Sequence, residues 1–224
     1  MITGDPKRAI NKLSIPIIVS MFLIFANNII DSVWVAGLGS DPLAALGYVT
    51  PLFMVLIGIG NGIGAGGNSL ISRYIEAKNR KSANNAAIHN LILGVILSIV
   101  VSVILLTFLK PLLVIMGASS VLKYAMDYGI VIFAFSFALL LPPIFGGAFR
   151  AEGDIKRATM PLAIAAIINM IIDPIFIYTL NLGVAGAAWA TIIAHLIAIA
   201  SMLYGCLLKK THISNILVKA SKTI

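Results

Sequence analysis

Charge is what this chain has least of. Only 11% of its 224 residues are charged, roughly half the share of an ordinary soluble domain. Apolar residues make up 60% before glycine is counted. Surface-to-volume scaling does not let a small soluble domain hide that much apolar surface, so a soluble fold is excluded. Cysteine is nearly absent: Cys206 stands alone, which rules out a disulfide framework or a cysteine-based metal site within one chain. A nucleophile–base pair, a metal cluster and a nucleotide motif are all missing, which argues against an enzyme. The net charge of +8 would suit nucleic acid if it formed one basic face. The basic residues instead sit in short clusters between long uncharged stretches, the pattern of membrane loops. Lipid bilayer, not nucleic acid, is the expected environment.

A lipid-exposed segment must satisfy its own backbone hydrogen bonds, so a run of about 18 or more apolar residues reads as a spanning helix. Six such runs are present, about 14–37, 43–71, 86–109, 121–145, 159–180 and 184–208. The expected organisation is an all-α, six-helix transmembrane bundle over 14–208, preceded by an N-terminal arm (1–13) and followed by a basic tail (209–224). Lys and Arg set its orientation. Fourteen of the 16 lie in the arm, in the connections after spans two and four, and in the tail; only Lys110 and Lys123 lie on the other side. Both termini are therefore placed in the cytoplasm, with the chain multi-pass in the plasma membrane. The first run is long, no A-x-A site closes it and five more spans follow, which argues against a cleaved signal peptide. Both tryptophans and all six tyrosines fall near span ends, where interfacial anchoring is the simplest role.

Two acids break the apolar pattern, Asp31 in span one and Asp173 in span five. A charged carboxylate at the bilayer centre costs about 2.5–3.5 kcal/mol, so such residues normally face a bundle interior or a water-filled cavity. Both lie six or seven residues before the outer end of their span, roughly 10 Å below that boundary. The same counting places Tyr128 of span four and Thr191 of span six at a similar depth, so four polar groups on four helices fall in one layer. Asn27 and Asn28 precede Asp31 by four and three residues, and Asn169 precedes Asp173 by four; both spacings put the amide on the acid's helix face. Pro174 has no N–H, which frees the Met170 carbonyl and should kink span five. Two carboxylates, amide oxygens, a hydroxyl and a freed carbonyl make a hard-oxygen set suited to a proton relay or a small hard cation.

Weaker features are also present. Gly58, Gly62 and Gly66 of span two form a small-residue stripe expected to pack closely on a neighbouring helix. Pro16, Pro51, Pro142 and Pro143 are possible hinges. His195, four residues after Thr191, is a candidate relay or a packing histidine. The hexapeptide Gly4-Asp5-Pro6-Lys7-Arg8-Ala9 before span one is echoed by Gly153-Asp154-Ile155-Lys156-Arg157-Ala158 before span five.

Several motifs together resemble one family. Leu13-Ser14-Ile15-Pro16-Ile17 and the run from Asn27 to Gly39 in span one, Ala148 to Asp154, Asn169 to Ile177, and Gly183 to Thr191 are similar to the MATE family (multidrug and toxic compound extrusion transporters), in its DinF-like and archaeal members. The likeness runs through essentially the whole chain. It implies secondary antiport: efflux of organic cations or amphipathic drugs against H⁺ or Na⁺, with no organic cofactor. It also implies a coupling-ion site at Asp31, Asn169, Asp173 and Thr191, with Tyr128 nearby and Pro16 as a bending point. Family members carry twelve spans in two lobes with the substrate cavity between them. Six spans correspond to an N-terminal lobe, which leaves a fragment, a split half or a homodimerising subunit as the alternatives, each needing a second six-helix lobe. Rival readings are a lipid or oligosaccharide-lipid flippase of the same superfamily and a non-transporting membrane partner subunit.

Overall fold

A computed structural model of the chain describes residues 6–208, with side chains from 14 to 206 except at position 16. The basic tail, 209–224, and Asp5 lie outside the described residues, as does the side chain of the hinge candidate Pro16. All regular structure among the described residues is helical: α1 (Pro6–Ala36), α2 (Ser40–Glu76), α3 (Arg80–Ile115), a 3₁₀ turn (Ala118–Val121), α4 (Leu122–Ala134), α5 (Ser136–Ala151), α6 (Ile155–Pro174), a π-helical turn (Ile175–Thr179) and α7 (Gly183–Leu208). Five of these helices are individually long and apolar enough to cross a membrane. The pair α4 and α5, meeting at 48°, makes the sixth span. The chain is thus the expected all-helical, six-span bundle.

The core is built around α2, α3, α4, α5 and α7. Leu56, Leu109, Leu113, Ile132, Phe133, Leu139, Leu140 and Ile192 form its centre, all fully or almost fully buried. A second cluster, around Phe149, Met202 and Cys206, closes the inner end. Helix α1 stands apart from this core and packs chiefly on α6. Its outer end is seated by Val35 against Ile177 and Ala187. Nearer its start, Ile15, Ile18, Met21, Phe22 and Phe25 are all largely exposed. With no hydrophobic force acting between helices in lipid, α1 depends on its few polar and small-residue contacts with α6.

The two inner connections are copies of one turn. In each, a left-handed residue (Lys78, φ 55°; Gly153, φ 78°) follows the helix end, and an Asn or Asp then caps the next helix. Asn79 accepts from the Ser82 N–H and Asp154 from the Arg157 N–H. That cap satisfies one of the orphan donors at a helix start and gives the Gly153-Asp154 half of the hexapeptide echo a physical role.

Glycine packing in α2 differs from the sequence-based expectation. Gly58, Gly62 and Gly66 are exposed, and a Cβ added at any of them would meet nothing. Close packing falls to the opposite face, where Gly60, Gly64 and Gly67 are buried. A Cβ at Gly60 would come within 2.9 Å of the Pro143 ring, one at Gly64 would collide with the Pro143 carbonyl, and one at Gly67 with the Asn90 side chain. Gly147 of α5 meets the Gly64 backbone in return. Both stripes have small-residue spacing, but only the second lies towards α5 and α3.

The kink of the fourth span also lies elsewhere than its prolines suggest. Helix α5 runs through Pro142 and Pro143, and the break falls at Phe135. There the Phe133 carbonyl accepts two hydroxyls, Ser102 of α3 (2.6 Å) and Ser136 (2.7 Å), and hydroxyls inserted at a helix carbonyl compete with its ladder. From the glycine geometry, Gly64→Ala and Gly147→Ala should each destabilise the bundle by about 1–3 kcal/mol through overpacking. Gly62→Ala should be neutral or slightly stabilising. Thermal unfolding in a mild detergent, followed by helical circular dichroism, checks the contrast.

Candidate ion-coupling site

The site is assembled where α1 meets α6. Helical spacing puts Asn27 one turn before Asp31 and Asn169 one turn before Asp173, and the amide nitrogens donate to the acids at 3.1 Å and 3.0 Å. Asp173 is fully buried and Asn169 is 2% exposed, while Asp31 is half-buried. The two carboxyl groups lie within hydrogen-bonding reach of each other. Tyr128 of α4 is close enough to interact electrostatically with both.

What these atoms lack is more informative than what they bond. Seven buried side-chain N or O atoms have no hydrogen-bond partner among the described residues, and four of them belong here: Asp31 Oδ1, Asp173 Oδ2, Asn27 Oδ1 and Asn169 Oδ1. Ionised carboxylates and amide oxygens only accept, so these four oxygens cannot satisfy one another. Buried polar groups left unpaired are costly. Two carboxylates in contact are compatible with burial once a proton or another cation stands between them. Among the described residues no three His, Cys, Asp or Glu side chains come together. The donor set is therefore two carboxylates and two amides, hard oxygens that suit H⁺ or a small alkali cation rather than a thiophilic metal.

The structure brings together Asp31, Asp173, Asn27, Asn169 and Tyr128. It does not draw in every candidate. Asn28 is exposed, and its backbone carbonyl accepts from Ser32 Oγ at 2.9 Å; its amide makes no bond to Asp31. Three-residue spacing put it near the acid, but four-residue spacing supplies the contact. Thr191 is buried, and its hydroxyl donates within α7 to the Ala187 carbonyl at 3.0 Å. His195 Nδ1 is engaged with the Thr191 carbonyl at 2.8 Å. Neither bonds the acidic pair. Pro174 has no N–H to give the Met170 carbonyl, and α6 passes directly into the π-helical turn, where the Leu180 N–H reaches Ile175 O at 2.9 Å; Ile155–Thr179 runs as one span rather than breaking at Pro174.

Sequence reasoning missed one residue. Tyr178, carried by that π-helical turn, donates its hydroxyl to the Trp34 carbonyl of α1 and packs edge-on against the Trp34 ring at 6.2 Å. It fastens α1 to α6 just outside the acidic pair. Its nearness to a span end made interfacial anchoring the simpler reading; the signal was Pro174 four residues earlier, which re-aims the turn.

Comparison with known proteins settles the family. The MatE family pattern matches residues 16–175. The chain belongs to the MATE family. It is a multi-pass membrane protein of that family. It is 28% identical over 207 residues to a FAD transporter of Shewanella oneidensis, which covers 90% of this chain and 46% of that protein. It is 29% identical to the multidrug export protein MepA of Staphylococcus haemolyticus, covering 85% and 43%. Among solved structures it is similar to MATE in the straight conformation, with a TM-score of 0.87 and 37% identity over 94% of this chain and 47% of that one. It is also similar to a MOP superfamily transporter from Pyrococcus furiosus, with a TM-score of 0.86 and 37% identity over 92% and 46%. The chain therefore spans about half the length of the relatives it matches.

The unequal burial of the two amides gives a direct test. Asn169→Ala leaves the fully buried Asp173 without its donor and should lower stability by about 1–3 kcal/mol. Asn28→Ala, at an exposed amide, should change it by less than about 0.5 kcal/mol. Equal effects in detergent melts would contradict the geometry.

Proposed function

We propose that this chain is the N-terminal six-helix lobe of a secondary antiporter that exports organic cations or amphipathic compounds in exchange for H⁺ or Na⁺. The coupling ion is held between Asp31 and Asp173, with Asn27, Asn169 and Tyr128 around it. The observation that carries this reading is the nearness of two membrane-embedded acids, each with a buried oxygen that has no donor. A relay of this kind needs a site that is tolerable only when a cation occupies it, and this pair is such a site.

Its position supports a mechanism. The acids bridge α1 and α6, and along its inner half α1 exposes most of its large apolar side chains. With a cation between them the carboxylates join the two helices. Without it they repel, which weakens one of the contacts that hold α1 on α6. Cation binding and release thus bias where α1 lies against α6, which is the differential contact that ion-driven alternating access requires. Pro16 serves as the bending point within the inner half. Thr191 supplies a hydroxyl on the facing wall of α7 once its internal bond is exchanged.

Substrate charge follows from what lines the spans. Their interiors carry carboxylates and no Lys or Arg, which favours cationic or neutral amphipathic cargo. A dinucleotide such as that moved by the Shewanella relative, or the pyrophosphate of an oligosaccharide-lipid, calls for basic groups that these spans do not hold. Transport needs a second six-helix lobe facing this one, whether another copy, a separate half or a continuation of the same chain, since the rocking of two lobes creates the alternating cavity.

In the two-lobed assembly, Asp173→Asn should abolish gradient-driven efflux of a fluorescent organic cation from everted vesicles while leaving expression and membrane insertion intact. Asp31→Asn should do the same. Retained coupling in either variant would sink the assignment. Asn28→Ala, in the same helix and outside the pair, should transport normally.

A further inference from the structure

Far from the acidic pair, at the inner end of the bundle, α5, α6 and α7 enclose a cavity of about 310 Å³. Arg157, at its rim, lies roughly 24 Å along α6 from Asp173, so the two sites are separate. The lining has two kinds of surface. Lys156, Arg157, Ser201 and Tyr204 supply charge and hydroxyls, while Met160, Ile164 and Met202 supply apolar wall. Asp154 engages the Nε edge of Arg157 at 3.1 Å. Lys156 is exposed and pairs with no carboxylate among the described residues.

Beyond the cavity, an exposed apolar face of α6 runs on into the membrane. On α6 the exposed positions Lys156, Met160, Ile164, Ile167 and Ile171 recur at three- and four-residue intervals, so they form one face. From Lys156 to Ile171 that face runs roughly 22 Å, comparable with an acyl chain. On α7, Ile197, Ser201 and Tyr204 are exposed in the same way and border the groove from the other side. At the basic end of a membrane bundle, a cation and two hydroxyls therefore stand above an apolar track between two helices. Anionic headgroups are bound by basic pockets of this kind.

We propose that this groove is a binding site for one anionic glycerophospholipid of the leaflet on the basic side. The phosphate is held by Lys156 with the hydroxyls of Ser201 and Tyr204, and an acyl chain lies along Met160, Ile164, Ile167 and Ile171. A free phosphate would leave that track unfilled. A lipid uses both surfaces, and its own leaflet delivers it at the right depth. The proposal does not depend on the antiport reading, because it rests on the membrane fold and this groove alone.

The test is native mass spectrometry of the protein, in the assembly in which mild detergent extracts it, titrated with dioleoyl phosphatidylglycerol and separately with dioleoyl phosphatidylcholine. The expected result is preferential retention of one phosphatidylglycerol per chain. Lys156→Gln should weaken that retention roughly fivefold, the effect of one basic residue near an anionic surface. Ile164→Trp, which fills the track, should weaken it too. Lys81→Gln, an exposed cation at the same end and outside the groove, should leave it unchanged. Equal retention of the two lipids, or equal effects of Lys156→Gln and Lys81→Gln, would overturn the proposal. So would a change of subunit number in Ile164→Trp, which would assign the face to a second copy or lobe.

Discussion

A carboxylate inside a membrane must be neutralised, and in this protein two of them are placed against each other on different helices. Asp31 and Asp173 each take one amide hydrogen from their own helix and keep a second, buried oxygen without a donor. That contact determines what the rest of the bundle has to accomplish. It requires α1 and α6 to meet closely at one depth, and under the proposed role a cation between the acids would join the two helices. A buried pair of like charges is a poor stabiliser, so its presence points to a binding role.

The remaining architecture divides into a rigid part and a lightly held one. Glycines bring α2 and α5 into backbone contact and make room for side chains between α3 and its neighbours, and the leucine, isoleucine and phenylalanine core fills the space between α3, α4 and α7. Such packing is the chief source of helix association in lipid. Helix α1 takes almost no part in it. It packs chiefly on α6, and its attachments there include the acidic pair, the Tyr178 hydroxyl on the Trp34 carbonyl and the small cluster around Val35. The helix that carries Asp31 thus lies outside the main core and packs chiefly on α6, an arrangement that, under the proposed role, would let ion occupancy change a helix's position rather than merely its charge.

Much of this was legible in the sequence because it depends on local geometry. Apolar run length gives the six spans, helical rise gives the common depth of Asp31, Asp173 and Tyr128, and four-residue spacing gives the two Asn–Asp bonds. What stayed hidden depends on the neighbouring helix. Two glycine stripes on opposite faces of α2 have the same small-residue character, and only the position of α5 shows that Gly60, Gly64 and Gly67 are the packed set. Ser102, distant in sequence, breaks the fourth span at Phe135, whereas Pro142 and Pro143 pass within a helix. Thr191 has the right depth, yet its hydroxyl is spent on its own helix. Depth is a property of one helix, while contact is a property of two.

The central claim is that Asp31 and Asp173 hold one cation between them, a proton when no other ion is supplied. Infrared difference spectroscopy of the protein in lipid, at neutral pH in sodium-free buffer, reads this directly through the carbonyl stretch of a protonated carboxyl. The account predicts such a band in the wild type, insensitive to exchange of exposed groups and absent from the Asp31→Asn, Asp173→Asn double variant. A wild type without the band, or a double variant that keeps it unchanged, would contradict the shared-cation site.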